Sequence, residues 1–306
     1  MSTITRRRFL ALSIKSIVIS KFFISNVYPL NNGGIHSNGI KSNVVMLEGQ
    51  GCINHIDRGI NSIGGLTKFI NKGDTVAIKP NMSFAKGPEF AVNTNPEVVG
   101  KVVKLLFAAG ADKVYVIDNT LADMRMAYQI SGIAKKAVES GAEVVFPLSR
   151  YFEEAQINGK FIKKWEIFRF FLEADKIINM PVAKHHGSAL LTSAMKNWIG
   201  AIGGQRNKVH QKLDTSIYEL ASFFKPTLNI VDCTRILTKN GPSGGSLNDV
   251  RVLNKILIST DQVAVDTIAA DLLGFNCSNI DYLRIGHNNK LGTMYKKDIS
   301  LLKLNA

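Results

Sequence analysis

A chain of 306 residues, 45% hydrophobic and 20% charged, has the length and apolar content for a large folded core, which excludes a disordered or low-complexity protein. Its formal net charge of +14 suits anionic partners: small molecules, nucleic acid or lipid surfaces. The lysines are spread along the whole chain with no basic run interleaved with aromatics, so no nucleic-acid partner is expected.

Residues 1–28 read as a targeting segment carrying Arg6, Arg7, Arg8, Lys15 and Lys21 and no acid. Thr5-Arg6-Arg7-Arg8-Phe9-Leu10 resembles the twin-arginine export signal, in which paired arginines precede an apolar stretch. Lys15 and Lys21 break that stretch, so it does not make a membrane span, and no Ala-x-Ala cleavage site follows it. The expectation is an exported protein of the periplasm or cell envelope that engages the twin-arginine machinery. A cytoplasmic chain or one anchored at a membrane surface is the alternative. Residues 29–42, rich in Gly, Asn and Ser, read as a linker, and residues 43–306 as one α/β domain without a transmembrane helix.

Within that domain, short β-branched runs alternate with helical segments. Strands are expected at Val44–Leu47, Thr75–Lys79, Lys113–Ile117, Glu143–Phe146, Lys176–Met180, Thr227–Val231 and Lys255–Ser259. Helices are expected near 54–71, 96–109, 122–140, 188–202, 213–224, 262–273 and 279–286. Continuous apolar runs such as Val114-Tyr115-Val116-Ile117 suit strands covered on both faces. The expected class is α/β, a mainly parallel sheet flanked by helices, with the site at the carboxyl ends of the strands. Residues 150–175, with Trp165, Phe168, Phe170 and Phe171, read as an insertion or the edge of a subdomain.

Polar residues gather where those strands end: Lys79-Pro80-Asn81, Asp118-Asn119-Thr120, Lys184-His185-His186, Asp232 with the loop from Asn240 to Gly245, and Asp261. An open parallel sheet binds ligands outside the carboxyl ends of its strands, so five such ends point to one crevice. Ser188 reads as the N-cap of a helix to about Ile202. On such a helix Ser188, Thr192, Lys196 and Gly200 share one stripe with Asn197 beside it, and Leu191, Met195, Trp198 and Ile202 form an apolar back. Adjacent His185 and His186 in an extended segment face opposite sides, so one serves the site; His186 shares parity with Lys184. Arg206 and His210 follow in a Gly-rich loop able to return over the cleft.

Cys52, Cys233 and Cys277 are scattered and form no C-x-x-C pair, so they read as free thiols and an intrinsic iron–sulfur cluster is not expected. Lys79, Lys184 and Arg206 are the candidate anion anchors, with Asn81, Thr94, Thr192 and Asn197 beside them. His186, His210 and Lys196 are the candidate catalytic groups, because imidazole and a buried amine titrate near neutrality. Asp118, Asp232 and Asp261 are candidates for orienting an imidazole or holding a divalent metal.

Lys79-Pro80-Asn81, Thr94 with Pro96-Glu97-Val98-Val99, Lys184-x-His186, Thr192…Lys196-Asn197…Gly200, Arg206…His210 and Gly241-Pro242…Gly245 followed by Asp261…Asp266 resemble the DUF362 family. That is a domain of unknown function, found alone or beside ferredoxin-like iron–sulfur modules, and the resemblance covers roughly residues 44–290. It implies that the strand-end residues form one site, and for some members a redox partner. The cysteine-rich segment of those members is missing from this sequence. Three readings remain open: an enzyme acting on a small phosphate- or carboxylate-bearing substrate, a non-catalytic anion-binding protein, and a redox or cofactor-handling protein.

Overall fold

The computed structural model describes residues 41–306. The export reading of residues 1–28 lies outside the described residues, as does the linker reading up to residue 40. Ser42, assigned to the linker from sequence, already opens the first strand.

The strands are β1 (Ser42–Glu48), β2 (Thr75–Pro80), β3 (Lys113–Ile117), β4 (Glu143–Val145), β5 (Phe152–Gln156), β6 (Lys164–Phe168), β7 (Lys176–Met180), β8 (Val182–His186), β9 (Leu190–Thr192), β10 (Leu228–Leu237), β11 (Val250–Ser259) and β12 (Ile299–Asn305). The helices are α1 (Ile56–Asn61), α2 (Pro96–Ala108), α3 (Met124–Ile130), α4 (Ile133–Glu139), α5 (Arg169–Glu173), α6 (Ala194–Asn197), α7 (Leu213–Phe224), α8 (Gln262–Leu273) and α9 (Asp281–Asn288). A ten-stranded sheet runs in the order β12-β1-β11-β10-β7-β2-β3-β4, with β8 pairing β10 and β9 pairing β8. Within this sheet the pairings are parallel except the two made by β11 and the one between β8 and β9, so β11 and the short β9 run against the others. The fold is α/β with a mixed, mainly parallel sheet.

Side chains of one strand alternate between the two faces, and both faces are covered. Val76 and Ile78 pack with Ile56, Val99, Val103, Leu106 and Ile133 from α1, α2 and α4. Ala77 of the same strand joins the opposite core with Trp198, Leu220, Phe224, Ile268 and Leu283, which brings in α7, α8 and α9. This double burial is why the parallel strands read as unbroken apolar runs.

Glycines with positive φ shorten two of the expected helices. Gly132, at φ 74°, separates α3 from α4 inside the segment expected as one helix over 122–140. Gly64 and Gly65 end the segment expected to run to residue 71. The larger departure concerns 188–202. Instead of a helix capped by Ser188, the chain turns after β8 and pairs with it as β9, setting Lys184 opposite Thr192 and His186 opposite Leu190. Pro181 separates β8 from β7, and the free edge of β8 takes up the following residues. The helix begins only at Ala194, where Asp266 of α8 accepts the Ala194 and Met195 amides at 2.6 and 2.9 Å. Leu191, Met195, Trp198 and Ile202 are fully buried, as the apolar stripe implied.

The insertion at 150–175 contains the β5–β6 hairpin, which buttresses the segment leading to Arg206. Trp165 Nε1 donates to Gly203 O at 2.9 Å, and Gly203 N donates to Glu166 O at 2.8 Å.

Candidate functional site: a cationic cavity

A cavity of ≈ 480 Å³ opens beyond the carboxyl end of β2, walled by β8, β9, α6 and the 204–210 loop. Of the residues singled out from sequence, Asn81, Lys184, His186, Thr192, Lys196, Asn197, Arg206 and His210 line it. Lys208 supplies a further cation at the rim, while Ser83, Phe84 and Pro242 add to the mouth. No Asp or Glu is part of the lining.

Behind this wall lies a buried polar network. Lys79 Nζ donates to Asp118 Oδ1 at 2.6 Å, to Pro80 O at 2.8 Å and to Asn197 Oδ1 at 3.2 Å. Asp118 also accepts the Met82 amide at 2.6 Å. Burial pushes the Lys79 amine down and the Asp118 carboxyl up, and their mutual attraction opposes both shifts. Lys79 and Asp118 therefore sit beneath the cavity and do not line it. Asn197 ties this layer together: its Nδ2 donates to Lys79 O at 3.0 Å and to Asn179 Oδ1 at 2.9 Å. Gly200 is required there, since a Cβ on it would lie 2.1 Å from Asp118 Oδ1 and 2.7 Å from Lys79 Nζ.

Lys184 is anchored from the side. Its Nζ donates to Asn81 Oδ1 at 3.1 Å and to Val92 O, and stands 5.0 Å from the centre of the Phe84 ring. His186 Nδ1 accepts the Ser188 and Ala189 amides at 3.2 and 3.3 Å, so the ring's proton belongs on Nε2. His185 is occupied elsewhere, accepting the Gly241 amide at 3.1 Å on its Nδ1, which holds the loop that brings Pro242 to the cavity. Arg206 reaches the loop after β3, donating to Asn119 O at 2.7 Å and to Thr120 O at 2.6 Å. Lys196 is nearly buried and, among the described residues, makes neither a hydrogen bond nor an ion pair through Nζ.

The remaining candidates lie elsewhere. Thr94 is a clamp: its hydroxyl accepts the Asn81 amide at 2.9 Å and donates to Met180 O at 2.7 Å, joining the ends of β2 and β7. Asp232 lies within β10 and not at its end. It accepts from Asn95 N at 2.7 Å and from the Thr234 amide and hydroxyl at 2.9 and 2.7 Å. Asp261 follows β11, the reversed strand, so it sits at the opposite end of the strands. There it caps α8 through the Val263 and Ala264 amides at 2.8 and 2.9 Å. The three carboxylates named as metal candidates therefore do not converge. Among the described residues no three His, Cys, Asp or Glu side chains stand where they would hold a metal ion. A cation-lined cavity also fits an anion and repels a bare divalent cation.

Two buried residues of the site carry weight that sequence reading assigned to neither, although Asp266 stands in the family-resembling motif. Asn179, in the otherwise apolar strand β7, accepts from Asn197 and donates to Ala194 O and Asn229 Oδ1, each at 2.9 Å. Asp266 seats the first turn of α6. A polar amide and an acid inside apolar runs (Lys176–Met180 and Gln262–Leu273) were the available signal.

Burial and mutual repulsion set the titration of the lining. Burial, then the Lys196 charge, pushes the Lys184 amine down to about 7. Burial takes the Lys196 amine down to about 8 against the pull of Asp214. His186 falls to about 3, through burial first and then Lys196 and Lys184. The His210 imidazole is lowered by burial and by Lys196. At neutral pH the cavity thus offers a neutral imidazole with an Nε2–H donor and two amines poised between charge states. Burial depresses every one of these groups, and for Lys184, His186 and His210 the neighbouring Lys196 charge adds to it.

The sequence profile of a family described as domain of unknown function (DUF362) matches residues 76–271, and the chain belongs to that family. A thylakoid-associated protein of Synechocystis sp. is 25% identical over 227 residues, 71% of this chain and 68% of that protein. Among solved structures, the lactate racemase apoprotein of Thermoanaerobacterium thermosaccharolyticum is similar with a TM-score of 0.46 and 12% identity over 74% of this chain and 56% of its own. A Thermotoga maritima protein is similar with a TM-score of 0.40 and 10% identity over 72% of this chain and 59% of its own. The chain thus spans under two thirds of both.

Proposed function

We propose that this DUF362 chain is an enzyme that draws a small carboxylate- or phosphate-bearing substrate into the cavity between β8, α6 and the 204–210 loop. Lys184 and Arg206 neutralise the anionic group, and Thr192, whose hydroxyl has no partner among the described residues, offers it a hydrogen bond. Lys196, His186 and His210 exchange protons with the reacting part of the molecule. The observation that carries this reading is the wall itself: four cationic side chains and two imidazoles with no carboxylate among them. Uncompensated buried charge is costly, and a site that keeps it is organised for a partner of opposite sign.

The test is isothermal titration with inorganic phosphate and a panel of small carboxylates, followed by NMR of each bound compound for conversion. Arg206→Ala removes a charge-assisted contact and should weaken binding about tenfold or more, corresponding to roughly 1.5–3 kcal/mol. Binding without conversion of any compound supports the anion-binding alternative over the enzyme. The redox alternative rests on the export signal and on the iron–sulfur associates that the family resemblance implies. Export by the twin-arginine route belongs to the same proposal and rests on Arg6, Arg7 and Arg8 ahead of Phe9-Leu10. A reporter fused after residue 42 should be exported, and should stay in the cytoplasm when the three arginines are replaced by lysine.

A further inference from the structure

Among Lys184, Lys196 and Arg206, the cations set into the wall, Lys196 is held differently from the other two. Lys184 spends its donors on Asn81 and Val92, and Arg206 on Asn119 and Thr120. Lys196 sits on α6 with 8% of its surface exposed, lines the cavity, and among the described residues has no acceptor for its Nζ. Its backbone is well seated nonetheless. Asp266 holds the turn before it, Asn197 after it is bonded to β2 and β7, and Trp198 Nε1 donates to Gln262 Oε1 at 2.6 Å. A rigidly placed amine without partners in a cation-lined cavity is unsuited to a structural ion pair and well suited to attack a carbonyl carbon.

We propose that Lys196 is a nucleophile that forms an imine with a carbonyl compound carrying an anionic group, a 2-oxo acid being the simplest. This deepens the reading of the cavity as a small-anion site and rests on it. The neutral amine adds to the carbonyl carbon, giving a carbinolamine. The carbinolamine oxygen leaves as water, taking up the two protons that the nitrogen gives up as the C=N bond forms. His186, with Nδ1 occupied by two amides, offers Nε2–H as a hydrogen bond that steadies the departing oxygen, while solvent water carries the protons from nitrogen to oxygen. Lys184 and Arg206 hold the substrate carboxylate. No oxidant or reductant is needed, and water reverses the step. Lys196 is deprotonated in appreciable fraction near neutrality, since burial brings its amine down to about 8.

The test is reductive trapping of the full-length protein with pyruvate and sodium borohydride, mapped by peptide mass spectrometry, beside calorimetric titration of pyruvate without borohydride. The expected result is a reduced pyruvate adduct concentrated on Lys196, formed faster than on exposed Lys135 and suppressed by inorganic phosphate. Lys196→Arg and Lys196→Met should both lack the adduct, with circular dichroism confirming the fold. Peptide mapping of the wild-type chain decides the matter even if both variants misfold. Calorimetric binding with no adduct, or with adduct only on exposed lysines, overturns the imine and leaves the anion site standing. Absence of both binding and adduct, for pyruvate and for phosphate alike, overturns the two together.

Discussion

At the scale of single residues, the site divides into side chains that face the cavity and side chains that hold those in place. Lys79 and Asp118 belong to the second kind, fully buried and 2.6 Å apart. Removing one member of a buried pair leaves the other charge without compensation, which costs about 3–5 kcal/mol, whereas removing both can be close to neutral. Asp118→Asn should therefore lower stability by about that amount in urea denaturation, and the double variant Lys79→Met, Asp118→Leu by less. Equal loss in the single and double variants would mean that packing around the pair, and not its charge, matters. In sequence the anchoring Lys184 and the clamp residue Thr94 read alike, as side chains that hold a substrate. Only their long-range partners, Asn81 and Val92 for Lys184 and Met180 for Thr94, tell them apart.

At the scale of elements, α6 is the piece that most depends on the rest of the chain. Four residues are too few to form a helix alone, since nucleation is unfavourable. Its start is imposed by Asp266 through the Ala194 and Met195 amides. Asp266→Ala leaves two buried amides without acceptors, which costs about 1–3 kcal/mol per group. The expected outcome is lower stability together with weaker anion binding, because Lys196 and Asn197 lose their position; calorimetry on the folded variant reads the second effect. Unchanged affinity would show that α6 is positioned by its apolar side alone. This element also marks where local pattern stops being informative. The stripe of Leu191, Met195, Trp198 and Ile202 is buried as a helical period requires, yet Leu191 reaches the core from a strand. The edge of β8 that draws it there is formed by residues far away in sequence, Asp232 to Leu237 among them.

At the scale of the molecule, the mainly parallel sheet was legible because strands covered on both faces leave unbroken apolar runs. Strand direction was not legible. Nothing local distinguishes β11 from its neighbours, and its reversal is what carries Asp261 away from the other strand ends. The charge of the whole cavity has a consequence for stability. The Lys184 and Lys196 amines titrate near 7 and 8 in the folded chain, below their value of 10.5 when exposed. Between about 7 and 9 the unfolded chain binds more protons at these amines, so stability of the ligand-free protein should rise with pH through that window, until the raised titration of the buried Cys52 and Cys233 thiols opposes it. A melting temperature that falls through that window would contradict the assignment. Anion affinity should run the opposite way, because only the protonated amines attract the ligand. The most direct measurement is calorimetric titration of phosphate at about pH 8 in two buffers of different ionisation enthalpy, on the wild-type chain and on Lys184→Met. The cavity described above predicts binding with net proton uptake, reduced in the variant. Binding with no proton exchange and indifferent to Lys184, or no binding at all, would contradict it.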